Sequence, residues 1–147
     1  MQTFVPCETY MENARVLDRQ RLGKQRVESL QIITALHANK FGYKYGWQSH
    51  PAVKMWAGSE LALCVYSLAI CTEWIERGYQ DTCKEKIKKL MHDFEKLDPT
   101  NTEVRPWWWG DSRVHNSHKS NLLFKFPKHY SQFGWKIESG LPYFWPV

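Results

Sequence analysis

The amino-acid sequence predicts a mainly α fold. We expect a compact single domain over residues 1–147, with about three main helices, a short C-terminal helix, and aromatic-rich loops and tail. Apolar side chains recur at helical spacing in three long stretches. Glycine and proline residues separate those stretches. The chain has 147 residues and is 43% hydrophobic, which is enough to form a real core.

The first predicted helix begins near Glu12 or Asn13 and runs to about His37. A short extended segment, Thr3–Val5, precedes it. Gly23 interrupts the helical pattern. Because glycine inside a helix costs roughly 1 kcal/mol relative to alanine, Gly23 suggests that another backbone or a ligand approaches the helix closely at this point.

The second predicted helix covers about Ala52 to Arg77, with a break expected near Gly58. His50 and Pro51 can open this helix, since proline fits the first turn of a helix.

The third predicted helix spans about Asp81–Leu97, and either Asp81 or Thr82 can cap it. Its outer face is rich in lysine, and we interpret that face as solvated. A short helix over about Ser117–Phe124 is expected before the tail. The tail itself, Leu141–Val147, is aromatic and proline-rich and should pack on the helices.

The composition favours an anionic partner. The formal charge is +5, the pI is about 9.0, and aromatic residues make up 15% of the chain, with eight Trp. Basic charge combined with many aromatics is typical of proteins that lie against nucleic acid and stack on bases. The alternative is that the aromatics fill the core, which we expect for most of the Trp residues.

Several classes of protein and site do not fit the sequence. Met1–Tyr10 lacks the basic start and apolar run of a secretion signal, and the longest apolar stretch, Leu61–Ile70, is too short to cross a membrane. We therefore expect a cytoplasmic protein with no membrane association. The four cysteines form no C-x-x-C pair, so no metal site is predicted. Neither a P-loop nor a dinucleotide-binding glycine motif is present, so no cofactor is predicted.

The segment Leu17–Glu28 is strongly cationic and ends in a single carboxylate. At helical spacing Arg21, Lys24, Gln25 and Glu28 share one face. One acid beside a cationic surface suits chemistry on a polyanion. The alternative is an ordinary solvated helix, in which Lys24 and Glu28 form a surface ion pair worth roughly 0–1 kcal/mol.

The α-amine of Met1 is a second candidate for chemistry. Gln2 is large, so we expect the initiator methionine to be retained. An α-amine has a pKa of about 7.7–8.0, against about 10.4 for lysine, so a useful fraction is neutral and nucleophilic near neutral pH. The alternative is an idle terminal amine.

A third candidate is the cluster His115, His118 and Lys119. Contacts to phosphate would suit these residues together with Ser117 and Ser120. The alternatives are hydrogen bonds that satisfy a loop and, with less support, a metal site that lacks a third ligand.

Three motifs, in order along the chain, resemble the pyrimidine-dimer DNA glycosylase family of the phage endonuclease V type. They are Leu17-x-x-Gln20-x-Leu22 followed by Glu28, then Trp74 with Arg77-Gly78-Tyr79, then Gly110-Asp111 with His115. The resemblance covers roughly three quarters of the chain.

The resemblance implies a compact, almost all-helical protein and a covalent mechanism. The N-terminal α-amine attacks the anomeric carbon of the sugar, the base leaves, an imine forms, and β-elimination cuts the strand. Carried over by position, Met1 supplies the amine and Glu28 the carboxylate.

The resemblance also implies double-stranded DNA as the partner of a monomeric enzyme. Gln20 and Arg21 would lie by the flipped or kinked nucleotide, and Lys24 and Arg26 near phosphates. Base chemistry of this kind requires an unstacked nucleotide.

This chain departs from the family pattern at several positions. The terminus is Met1 where the family exposes a threonine, and about five extra residues separate it from the first helix motif. Arg21 stands where the family has histidine, and Val27 and Gln31 replace basic residues. We therefore expect that the substrate could shift toward another lesion or a modified base.

Two other functions remain open on the sequence. The chain could be a non-catalytic DNA-binding module on the same fold, which needs only the basic face. It could also be a helical protein-interaction domain whose basic pI is incidental.

Overall fold

The computed structural model describes residues 1–99 and 103–147. The mainly α prediction is confirmed, since the described residues form helices and loops and contain no β-strand. The elements in chain order are α1 (Tyr10–Val16), α2 (Arg19–Phe41), α3 (Pro51–Lys54), α4 (Glu60–Glu76), α5 (Cys83–Leu97), α6 (Ser112–Lys125), α7 (Pro127–Tyr130) and a 3-10 turn (Ser131–Phe133). Within the described ranges, no helix is both long enough and apolar enough to cross a bilayer.

The prediction of one continuous first helix was wrong. The chain breaks after Val16, and α2 begins anew behind Asp18, whose carboxylate accepts a bond from the Arg21 amide at 3.4 Å. The Tyr130 hydroxyl donates to the same carboxylate at 2.5 Å. This tertiary bond secures the cap, which lets the chain turn between α1 and α2.

Gly23 does mark a close approach, but the approaching group is a side chain. A Cβ added at Gly23 would lie 2.8 and 2.9 Å from two carbons of the Trp74 ring. The expectation of a backbone or ligand there is therefore corrected. The missing side chain lets α4 pack its indole directly against α2.

The expected break near Gly58 is confirmed. Gly58 has a φ of +86°, which favours glycine, and it separates α3 from α4. The start of α3 also follows the prediction, because Pro51 lies in its first turn and the His50 side chain accepts a bond from the Ala52 amide at 3.0 Å.

The third predicted helix and its cap are confirmed in α5, whereas α6 begins earlier than predicted. α5 begins at Cys83, and Asp81 caps it by accepting from the amides of Cys83 and Lys84 at 3.2 and 2.8 Å. α6 begins at Ser112, five residues before the predicted Ser117, because Asp111 caps it.

The core lies mainly among α1, α2, α4 and α5, where α2 and α4 make the most extensive contact, and the remaining helices and the loop before α6 also contribute side chains to it. Its largest fully buried side chains include Trp56, Trp108, Tyr66 and Tyr130. Six of the eight Trp residues lie in this core or against it, as expected. Trp47 is one of the two exceptions, with 61% of its surface exposed.

Candidate active site

The chain begins inside the molecule. Residues 2–6 are buried, and Met1 is half-buried at the end of this segment. Thr3 and Val5 have no exposed surface. A buried segment outside any helix must find partners for its backbone groups elsewhere, so its contacts show what holds the α-amine in place.

Gln25 holds the N-terminal segment from the α2 side. Its Nε2 donates to the Gln2 carbonyl at 2.8 Å, and its Oε1 accepts from the Phe4 amide at 2.9 Å. The side chain is only 2% exposed. One amide group thus pairs with two backbone groups of the segment and fixes its position along α2.

Two histidines of α6 hold the segment from the opposite side. His118 Nδ1 accepts from the Val5 amide at 2.8 Å, and His115 Nδ1 lies 2.7 Å from the Val5 carbonyl oxygen. His115 Nε2 accepts from the Gly110 amide at 2.8 Å, so its Nδ1 carries the proton and donates to Val5. Burial lowers the pKa of His118 to about 3, so this ring is neutral.

This placement corrects the DNA contacts that the sequence suggested for His115 and His118. Their exposed fractions are 5% and 0%, and their Nδ1 atoms are engaged with Val5. Lys119 lies on the same helix and lines a second cavity together with His115, with its Nζ 5.8 Å from the centre of the Trp135 ring. None of these three residues lines the cavity at the chain terminus.

The core secures the same segment at two further points. The Tyr66 hydroxyl donates to the Phe4 carbonyl at 2.7 Å, and Trp56 Nε1 donates to the Thr3 hydroxyl at 2.9 Å. Bonds from α2, α3–α4 and α6 therefore converge on residues 2–5, and the position of the terminus follows from the fold.

A cavity of about 270 Å³ opens where the N-terminal segment meets α2. It brings together five of the predicted site residues. They are Met1, Gln20, Arg21, Lys24 and Glu28. Its wall is completed by Gln25, which the sequence analysis placed on the same helix face, and by Gln2, Phe4, Lys125 and Tyr143, which the sequence did not assign to the site.

Glu28 is the acid nearest to the chain terminus along this wall. Its Oε2 accepts from the Gln2 amide at 3.4 Å, and its Oε1 lies 3.5 Å from Lys24 Nζ. The Met1 nitrogen is at most roughly 3.6 Å from the Gln2 nitrogen, so it lies within about 7 Å of the carboxylate. The surface ion pair that was the alternative for Glu28 is present, and the same carboxylate also faces the cavity.

Burial and the charged groups of this site shift the pKa values of two ring-containing side chains, Tyr143 and His50. Burial, and then the Glu28 carboxylate, raise the pKa of Tyr143 to about 12, while Arg21 opposes the shift. Burial, and then the positive α-ammonium group of Met1, lower the pKa of His50. Tyr143 therefore lies near Glu28 and His50 near the Met1 amine, although neither side chain belongs to α2.

Arg26 and Arg21 have different surroundings. Arg26 pairs with Asp81 at 2.6 Å and lies over the Trp74 ring at 4.5 Å, away from the cavity. The phosphate contact expected of Arg26 does not fit this position. Arg21 lines the cavity and pairs with Asp18 at 3.3 Å.

A family model described as pyrimidine dimer DNA glycosylase matches residues 1–87, more than half of the 147-residue chain. The chain belongs to the pyrimidine dimer DNA glycosylase family. A comparison with curated proteins and one with solved structures found no match.

Membership of the pyrimidine dimer DNA glycosylase family implies DNA glycosylase activity. The matched residues contain Met1, all of α2 and the carboxylate of Glu28. Lys125 and Tyr143 lie beyond the match and still line the same cavity. Sequence reasoning missed these two because no local spacing connects them with α2.

Proposed function

We propose that the protein is a DNA glycosylase with associated AP-lyase activity, which excises a damaged pyrimidine, such as a pyrimidine dimer, or a modified base. The nucleophile is the α-amine of Met1, and Glu28 is the acid and base. The observation that carries the proposal is the bond between the Glu28 carboxylate and the Gln2 amide, at the cavity that Met1 lines.

The proposed reaction begins with the neutral α-amine of Met1. Its lone pair forms a bond to C1′ of the sugar as the C1′–N bond to the base breaks, and the base leaves with that electron pair and takes up a proton. Glu28 accepts a proton from the attacking nitrogen and returns it to the ring oxygen, which opens the sugar and leaves a protonated imine at C1′.

The imine then allows the strand to be cut. Loss of a proton from C2′ expels the 3′ phosphate by β-elimination, with the imine carbon and nitrogen as the electron sink. Water hydrolyses the imine and restores the free amine of Met1, so the chain is unchanged after one turnover.

The burial of the N-terminal segment supports this chemistry. The bonds from Gln25, His115 and His118 restrict the segment before the substrate arrives, so less conformational freedom is lost in the transition state. Lys24 is 73% exposed at the side chain, which suits a contact with a DNA phosphate beside the cavity.

The proposal is tested by borohydride trapping on duplex DNA that carries an abasic site or a cyclobutane dimer. A covalent adduct is expected, and trypsin should place it on the peptide 1–15, which contains no lysine, so that the α-amine is its only primary amine. An adduct found only on lysine-containing peptides, or no adduct with either DNA, would refute the amine mechanism.

Substitution of Glu28 separates an enzyme from a DNA-binding module. Glu28→Gln should abolish cleavage and keep most of the DNA affinity, while the control Glu85→Gln should behave as wild type, because Glu85 is an exposed partner of Lys88. Binding with strong salt dependence but no cleavage by the wild type would instead support the binding module.

A further inference from the structure

Trp47 combines exposure with an unusual backbone. It is 61% exposed and has a φ of +68°. Of the non-glycine residues that the structure describes, it alone has a positive φ. For a bulky residue this conformation is costly, and such costs are found where a side chain serves a ligand.

The turn around Trp47 is held firmly in this conformation. The next residue, Gln48, accepts from the Tyr45 amide at 2.9 Å and donates to Asn39 Oδ1 at 2.9 Å and to the Tyr43 carbonyl at 3.1 Å. The Trp47 carbonyl accepts from the His50 amide at 2.9 Å. These bonds hold the backbone of the turn in the conformation that leaves the Trp47 indole exposed to solvent.

A line of ring contacts connects Trp47 with the candidate active site. The Trp47 ring meets His50 edge to face with centres 5.9 Å apart, His50 meets Trp145 at 5.9 Å, and Trp145 meets Tyr143 at 5.5 Å. Tyr143 lines the cavity that holds Met1. At roughly 3.4 Å per base step of a strand, these contacts put Trp47 within about five steps of Tyr143 at the cavity wall.

The chain segment around Trp47 carries only positive charge, and an acid that the structure places near this loop, Asp93, is paired with His37. Between Glu28 and Glu60 the sequence contains no acidic residue and three lysines, at positions 40, 44 and 54. All three lysines are exposed. A DNA strand is a polyanion whose bases offer flat π faces. It therefore suits an exposed indole on a positively charged segment.

We propose that Trp47 is a stacking site for a nucleobase of the DNA, outside the cavity and within about five steps of the excised base. The indole would stack on a base that the bound protein unstacks at this distance from the excised nucleotide. This inference rests on the proposed action on DNA and assigns a contact that supports binding, separate from the chemistry of Met1 and Glu28.

The test measures binding to a duplex that carries a tetrahydrofuran abasic-site analogue, over a range of salt concentrations. Trp47→Ala should raise Kd about 5- to 150-fold, and Trp47→Phe should restore most of the affinity. The slope of log K against log salt should not change, because stacking releases no counterion. Trp107→Ala is the matched control, since Trp107 is also exposed, at 68%.

Trp47→Gly distinguishes a role of Trp47 in DNA binding from a role in the stability of the fold. Glycine adopts a positive φ without strain, so this variant should resist urea at least as well as wild type while its DNA affinity falls. The inference is overturned if Trp47→Ala binds as well as wild type, or no more weakly than Trp107→Ala. Borohydride trapping by the wild type tests the proposed function separately, because trapping does not depend on the result for Trp47.

Discussion

Replacement of Gln25 by methionine tests whether the buried N-terminal segment positions the α-amine. Methionine has a similar length and volume, so the core keeps its packing while the bonds to the Gln2 carbonyl and the Phe4 amide are lost. An unpaired buried backbone group costs about 1–3 kcal/mol, so the two together cost about 2–6 kcal/mol if the segment stays in place. A loss of about 2 kcal/mol, the lower limit of this range, lowers the ratio of positioned to released segment about 30-fold.

The assay is single-turnover borohydride trapping at saturating abasic-site DNA, at a temperature where tryptophan fluorescence shows that Gln25→Met is folded. The trapping rate should fall by at least about 10-fold, with little change in DNA affinity, because the loss is in orientation of the amine. Gln31→Met is the control, since Gln31 lies on the same helix and makes neither bond. A lower urea midpoint combined with a wild-type trapping rate would refute the reasoning.

Three further predictions concern stability. Burial alone would raise the pKa of Asp81, but its bond with Arg26 and bonds from backbone amides lower it, so its contribution is present above pH ~4 and is lost as the pH falls further. Urea titrations at several pH values should show this loss, and Asp81→Asn should flatten it. Gly23→Ala should destabilise the protein by about 1–3 kcal/mol through contact with the Trp74 ring, and in a background with a smaller residue at position 74 the same change should cost little. His118→Leu leaves a buried amide unpaired and should cost about 1–3 kcal/mol, measured by thermal unfolding.

The part of the site that lies on one helix could be predicted from the sequence. Arg21 lies three residues before Lys24, Gln20 lies four residues before Lys24, and Glu28 follows Lys24 by four residues; α2 places all four on the cavity. Helical periodicity determines such neighbours without any knowledge of the tertiary fold.

The remaining parts depend on contacts between distant residues. A histidine near serine and lysine has the same sequence pattern whether it faces solvent or the interior, so His115 and His118 were assigned to DNA although they bind Val5. Tyr143 reaches the cavity from the opposite end of the chain.

The missed break between α1 and α2 has a different cause. The apolar pattern continues through Leu17, so periodicity alone joins the two helices. Asp18 is a common capping residue and was a usable signal. Its bond with Tyr130, which secures the turn, could not be found from local sequence.

The bonds between Val5 and α6 also bear on the biosynthesis of the protein. The ribosome makes the N-terminal segment first, yet its partner His118 is 113 residues further along the chain. Until α6 has been made, the segment can be held by its bonds with Gln25, Tyr66 and Trp56. A chain that stops before α6 would therefore keep Glu28 and these bonds but lose the two bonds at Val5, so the amine would be held less firmly beside the carboxylate.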